Sequence, residues 1–349
     1  MKKIILWSLC TLFCLAAQAQ QNYEKAYKKA RAFTNTHQDS AMVWAEKCLA
    51  LAKTNAQKYK AYYLQGFNAK KLCLYGTAKR DYEQALKFAP DSVAYFRVNN
   101  NLADTYFQTG AYKMAVKLNQ QSIEFNKKNQ NWLNLSYDYN LNSDILRKNK
   151  DSSALAMMHK VITLRKRHAP KQLGYAYERM ANVLATFERH DSAIVYQRLA
   201  LKHHPIKSPE NQASLHTQLA RYLIMGNQPH EAHRYLEQAR TLKMPSMMKL
   251  FWCHTFGLYL AKTGRMAEAR QTFDHCNDLL QRLTNDAPDW VTQRTINEYA
   301  QEMYDDVLAL EHLKIGERQL YETRLRVVKA NYERANTELH LKDTLYQQK

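Results

Sequence analysis

The chain has 349 residues, 46% of them hydrophobic and 24% charged, enough to bury a large core. Only 8 Gly and 7 Pro occur, about half or less of ordinary usage, which argues against turn-dense all-β folds and glycine-rich phosphate-binding α/β folds. Lys and Arg number 51 against 32 Asp and Glu, a formal net charge of +19, but the hydrophobic fraction is too high for a disordered basic tail.

The first segment reads as an address. Lys2 and Lys3 open it, Ile4 to Ala17 is mostly apolar, and Ala17-Gln18-Ala19 is a small-x-small cleavage site. A signal peptide over 1–19 is therefore expected, with export of a mature chain that begins at Gln20. Residues 4–17 are few for a bilayer span, so an uncleaved anchor is the lesser alternative. Neither Cys10 nor Cys14 sits in a small-residue lipobox. No second stretch of 18 or more apolar residues follows, so no membrane span is expected in the mature chain.

The body of the chain repeats. Gly66, Ala78, Tyr82, Ala85 and Pro90 are spaced by 12, 4, 3 and 5, which resembles the tetratricopeptide repeat (TPR), a helix-turn-helix unit of about 34 residues. Aligning on the first alanine of the second helix gives Ala41, Ala78, Ala115, Ala154, Ala193, Ala232 and Ala269, at intervals of 37, 37, 39, 39, 39 and 37. Leu102-Ala103, Met180-Ala181, Leu219-Ala220 and Phe256-Gly257 supply the small residue where the first helix crosses its partner. Asp39-Ser40-Ala41, Ser152-Ser153-Ala154 (after Asp151) and Asp191-Ser192-Ala193 recur at the second helix, where Asp or Ser can cap an N-terminus. Units are placed near 22–55, 59–92, 96–129, 135–168, 174–207, 213–246 and 250–283. The first and fourth depart most, with Lys29 and Asn142 where a small residue is expected. Pro170 and the Pro205 to Pro209 stretch fall between units, as helix breakers do. The resemblance covers about 22–283 and implies an all-α, right-handed TPR superhelix of about seven helical hairpins followed by a long C-terminal helix. The expected domains are a signal peptide (1–19), a solenoid (20–286), and a capping helix with a coiled-coil-like helix (287–349).

After Pro288 the pattern changes. Ile296, Tyr299, Met303, Val307 and Leu310 form one amphipathic stripe, read as a helix closing the last hairpin. Tyr321, Leu325, Val328, Tyr332, Ala335 and Leu339 then alternate by 4 and 3, with Tyr346 a heptad beyond. Two readings of this seam stay open: a helix folded back on the solenoid, or self-association through 321–346.

A search for chemistry returns no HExxH, GxSxG, Walker loop or GxGxxG, so the chain is read as no enzyme, with no catalytic residues, cofactors or metal. His230 and His233 sit at i, i+3 on one helix without an evident third ligand and read as a solvated face. His203-His204, beside Pro205, reads as polar loop. Cys48, Cys73, Cys253 and Cys276 follow the leader, with no CxxC framework; Cys253 and Cys276 fall on two helices of one hairpin. Either those two form a bridge or all four are small buried side chains. Arg147 to Lys171 holds eight Lys or Arg against Asp151 alone. An exported chain meets little nucleic acid, so the run reads as a solvated face or as contact with an acidic protein or anionic envelope surface.

If the resemblance holds, binding uses the concave surface lined by first helices. The candidate groove is Tyr63, Phe67, Lys70, Arg97, Asn100, Asp104, Phe107, Tyr139, Arg147, Asn182 and Arg221, an aromatic and basic lining that suits a protein or extended peptide with acidic groups. Arg97 with Asn100 loosely resembles family members that clamp a C-terminal carboxylate, but the full constellation is not matched. Export followed by repeats that carry Asp-Ser-Ala looks like the periplasmic sensing region of Bacteroidetes signalling proteins, and 339–346 resembles the segment near their membrane transition. The expectation is a non-catalytic periplasmic adaptor or sensor region that binds protein. The alternatives are a truncated ectodomain of a membrane histidine kinase or transcriptional regulator, or an envelope-assembly scaffold for outer-membrane proteins or surface glycans.

Overall fold

The computed structural model describes the backbone of residues 2–34, 38–205, 208–287, 289–310 and 313–348. The side chains of residues 2–16, 38, 39 and 346 lie outside the description. With them go the side chains of the leader, including Cys10 and Cys14, the Asp39 cap and Tyr346 of the seam, and Pro288 lies outside as well. Among the described residues there are sixteen α-helices, a 3-10 turn at Pro170–Gln172 and no strand. No helix among them is long and apolar enough to cross a membrane.

The chain divides into two compact units, 1–129 with 339–349, and 130–338. The first holds three hairpins: α1 (Lys2–Phe33) with α2 (Gln38–Leu51), α3 (Asn55–Lys71) with α4 (Tyr75–Lys87), and α5 (Ser92–Gln108) with α6 (Tyr112–Lys128). The second holds four: α7 (Trp132–Lys148) with α8 (Ser153–His168), α9 (Leu173–Thr186) with α10 (His190–His203), α11 (Pro209–Met225) with α12 (Pro229–Arg240), and α13 (Ser246–Lys262) with α14 (Met266–Asn285). α15 (Trp290–Leu308) and residues 315–338 of α16 (Ile315–Gln348) complete the second unit. The first helices of hairpins two, three, four, six and seven start three or four residues before the expected boundaries, and Pro209 stands at the first turn of α11. This is the all-α solenoid of TPR type that the repeat spacing implies.

The aligned alanines explain why each hairpin closes. All seven are fully buried, so each second helix presents a surface with no side chain beyond Cβ and its neighbour comes close. Facing them are Gly66, Ala103, Ala181, Ala220 and Gly257, each 12 residues upstream of its alanine. In the first and fourth hairpins the small residue lies 11 upstream instead: Ala30 and Ser143 are buried, and the Ser143 hydroxyl donates to Ala154 O at 3.0 Å. The expected positions, Lys29 and Asn142, are therefore each one residue off. Lys29 instead lies over the Trp44 ring, 4.3 Å from its centroid.

The turns inside hairpins two to seven share one backbone solution. Cys73, Gly110, Lys150, Glu188, Asn227 and Gly264 each have φ between 55° and 80°. At each, the following N–H reaches back five residues, as from Ala111 N to Tyr106 O at 2.9 Å and Arg189 N to Leu184 O at 3.0 Å. The left-handed residue's own N–H bonds three back, as from Gly110 N to Phe107 O at 3.1 Å. This is the Schellman pair, which satisfies the last carbonyls of the first helix. The second helix then starts from a residue with ψ 50–70°, and φ near −80° at Leu74, Ala111, Arg189 and Arg265 and −117° at Gln228, none of which caps the helix with its own side chain. The expected caps are corrected accordingly: Ser152 makes none, Asp191 lies inside α10, and only Asp151 accepts a backbone N–H, from Ser153 at 2.8 Å. Side-chain caps appear between hairpins instead, where no Schellman bond reaches. Asp91 accepts from Ala94 N at 2.7 Å, Ser208 from Asn211 N at 3.2 Å, Asp289 from Thr292 N at 2.7 Å, and Thr54 forms a capping box with Gln57.

The C-terminal seam is covered within the chain. Tyr321 packs edge-on to Phe273 with ring centroids 6.5 Å apart, and Tyr321, Val328, Ala335 and Leu339 are buried. Of the two readings of this stripe, the helix folded back on its own chain describes it. Within the first unit, Asp343 caps α4 from a distance in sequence, accepting from Gly76 N at 2.7 Å and Thr77 N at 2.8 Å. His204 corrects another expectation. It is not polar loop but 2% exposed, with Nδ1 3.0 Å from the Asn211 amide nitrogen and Nε2 3.6 Å from Glu178.

Candidate functional site

Counting back from the left-handed residue of each turn gives a register common to the first helices. Six residues back stand Asp144, Asn182 and Arg221; nine back stand Arg179 and Gln218. These positions recur every 38 or 39 residues and, at about 100° per residue, keep one azimuth on successive helices. In the second unit they line a cavity of about 610 Å³. Arg147 and Thr186 join from the next helical turn, Met247 and Phe251 from α13, and Tyr299 and Glu302 from α15.

The lining combines three chemistries. Arg147, Arg179 and Arg221 supply guanidinium groups, Asp144 and Glu302 carboxylates. Arg179 pairs with Asp144, which also lies 3.8 Å from Arg147. Arg221 forms an ion pair with Asp306, 2.7 Å away. Asn182 and Gln218 supply amides, and the Tyr222 hydroxyl donates to Asn182 Oδ1, fixing which way that amide points. Met225, Met247 and Phe251 are apolar.

Under this lining, His254 is fully buried, with Nδ1 3.1 Å from the Tyr299 hydroxyl and Nε2 3.5 Å from Asp306. Burial, together with the Arg221 guanidinium, holds its imidazole well below the usual range, so it is neutral. Burial raises the Asp306 and Glu302 carboxyls, with Arg221 opposing. The same burial pushes the Tyr299 phenol far up.

Of the sequence-predicted residues, Arg147, Asn182 and Arg221 meet in this cavity. Tyr139 does not line it. Its ring packs against the core with Lys160 of α8 5.2 Å from its centroid. The cause is the fourth hairpin's turn: Lys150 to Ala154 takes four residues where the other five turns take five. The equivalent of Tyr63 and Asn100 is therefore Asn140, which is itself buried.

The other seven lie in the first unit. Tyr63 stacks between Tyr59 and Phe67 at 6.2 and 6.4 Å, an i, i+4 ladder on α3. Lys70 bonds Asp104 at 2.7 Å and Asn101 at 3.2 Å and leans over Phe67, so its charge is matched within the protein. Asn101 reaches the Tyr63 hydroxyl at 3.4 Å while Asn100 is half-buried beside it. Arg97 is exposed, and Phe107 packs on Tyr112 at 5.9 Å. This surface is more aromatic than basic. Sequence reasoning missed Asp144, Arg179, Gln218, Tyr222, Phe251, Tyr299 and Glu302; the 38–39-residue phase was the signal for the first three.

The sequence profile of the tetratricopeptide repeat matches residues 100–128. Among curated proteins nothing matches the sequence. Solved structures resemble the fold. A Rap protein complexed with Competence and Sporulation Factor is similar with a TM-score of 0.59 at 11% identity, over 91% of this chain and 99% of that one. The Rap conjugation gene regulator of the plasmid pLS20, in complex with the Phr peptide, gives 0.55 at 15% identity over 85% of each. A tetratricopeptide repeat protein from Parabacteroides merdae gives 0.50 at 13% identity, over 74% of this chain and 93% of that one. At these identities the likeness is one of fold.

Proposed function

For a chain with the tetratricopeptide-repeat fold, we propose that the second unit binds an extended segment of a protein or peptide in the cavity of α7, α9, α11, α13 and α15. The observation that carries this is the in-phase lining: one register position per hairpin supplies Asp144, Asn182 and Arg221 to a single cavity of about 610 Å³. A peptide has its own linear repeat, and a row of amides and guanidinium groups at hairpin spacing matches main-chain groups and carboxylates along it. Phe251, Met225 and Met247 take an apolar side chain. Two neighbours in fold hold a peptide or protein factor, which supports the same use of the fold here. In this reading the protein is a non-catalytic adaptor. With its leader-like start it is exported to the periplasm and serves an envelope signalling system as an adaptor or sensor region.

The test is selection of a displayed library of random peptides on the purified chain. Enriched peptides are expected to bind at least about tenfold more weakly to Asn182→Ala/Phe251→Ala at unchanged helical content. No enrichment over an unrelated helical protein, or equal affinity for the double variant, would overturn the assignment.

A further inference from the structure

α13 and α14 run antiparallel, and one close contact fixes their register. A Cβ built on Gly257 would stand 2.4 Å from Phe273 Cε1, so the Phe273 ring lies against the α13 backbone in space that only glycine leaves open. Four residues toward the start of α13 and three toward the end of α14, about one turn along each, stand Cys253 and Cys276. Both are buried, at 6% and 0% exposure, and both are thiols. The Cys276 thiol donates to Cys253 Sγ at 2.8 Å, and Cys253 Sγ lies 3.7 Å from the Thr272 carbonyl oxygen. The remaining described cysteines, Cys48 and Cys73, belong to the first unit. Gly257 and Phe273 already close the hairpin, so two sulfurs turned toward each other one layer away are more than packing requires.

We propose that Cys253 and Cys276 are a reversible disulfide pair that staples the seventh hairpin. The oxidant is a small-molecule or protein disulfide, RSSR. Cys253 is the nucleophile, because the Cys276 S–H bond favours its thiolate and it is the more exposed of the two. Its thiolate attacks one sulfur of RSSR, giving Cys253–S–S–R and releasing RS⁻. Cys276, on losing its proton, attacks the Cys253 sulfur and releases the second RS⁻. The two thiol protons end on the released thiolates, so two cysteines are oxidised while RSSR becomes two RSH. The bond closes a loop of 24 residues, and a loop of this size raises the thermal midpoint by roughly 5–10 °C. α13 also carries Phe251 and His254, so the staple fixes a wall of the cavity whether or not a peptide is its ligand.

The experiment uses the full chain, equilibrated with excess oxidised glutathione, then unfolded, alkylated with N-ethylmaleimide, digested and weighed. The expected product is one peptide pair joined through Cys253 and Cys276, two hydrogens lighter than the reduced peptides. The rise in midpoint should be reversed by dithiothreitol and absent in Cys276→Ala. N-ethylmaleimide on both cysteines, a persistent glutathione adduct on either, or a bridge to Cys48 or Cys73 would overturn the pairing. A bridge formed without a shift in midpoint would overturn the staple. The mapping is read on the unaltered chain, so it decides even where Cys276→Ala fails to fold.

Discussion

Asp81, on α4, is 1% exposed and receives one charged donor: Arg80 Nε lies 3.1 Å from one carboxylate oxygen. Its other oxygen meets no donor among the described residues. Burial pushes its pKa up to about 6, with Arg80 opposing and Glu46 and Asp343 adding to the rise. The folded state therefore holds this proton more tightly than the unfolded chain, whose carboxyl titrates near 3.8. The resulting stability is present in full below that value and is lost as pH rises through about 6. At 1.36 kcal/mol per pKa unit the loss is about 3 kcal/mol. Asp81→Asn, neutral throughout, should gain on the wild type by about 2 kcal/mol between pH 4 and pH 7, as read from urea midpoints. A difference between the two proteins that is the same at both pH values would refute it.

At the scale of the element, the described turns inside hairpins rest on the same pair of main-chain bonds, and four of the six left-handed positions carry a residue other than glycine. The left-handed region costs an L-residue about 1–2 kcal/mol, part of which glycine loses again to chain entropy. Lys150→Gly and Glu188→Gly should each stabilise the second unit by about 0.5–1 kcal/mol. Asn227→Gly should gain less, because asparagine tolerates this region, and Gly110→Ala should lose about 1 kcal/mol in the first unit. Denaturant midpoints for the series check the order; a loss at Lys150→Gly or Glu188→Gly would contradict it. These turns also explain what could be read beforehand. Ala78, Ala115 and the rest were legible because a fully buried alanine tolerates nothing larger. The small residue opposite was legible only where the intervening turn kept its length. In the fourth hairpin one residue fewer moved the register from Asn142 to Ser143, and Tyr139 was misplaced with it. Nothing in a single composition or period announces that loss, since Lys150, like Glu188, is not a residue typical of a left-handed turn.

Across the whole molecule, the repeat was legible and the cavity only partly so. Asn182 and Arg221 follow from the 39-residue phase, but Tyr299 and Glu302 come from α15, which lies outside the repeat and keeps no phase with it. The charge partners of the groove were also hidden: Lys70 reads as a free cation until Asp104 is found 2.7 Å away. The proposed export belongs at this scale too. A tagged chain expressed in a bacterial host should be recovered from the periplasmic fraction with Gln20 as its new N-terminus; full-length protein in the cytosol would count against it.

Because the reversal in hairpins two to seven is built on main-chain bonds, the segment between two such reversals is an interchangeable cassette. Lys150 to Glu188 and Glu188 to Asn227 are 38 and 39 residues long, and each begins and ends in the same backbone state. A gene duplication cut at these points would splice like onto like. It would add one more Asn182- or Arg221-type rung to the wall, so under the proposed function the length of the segment held would be heritable in whole hairpins.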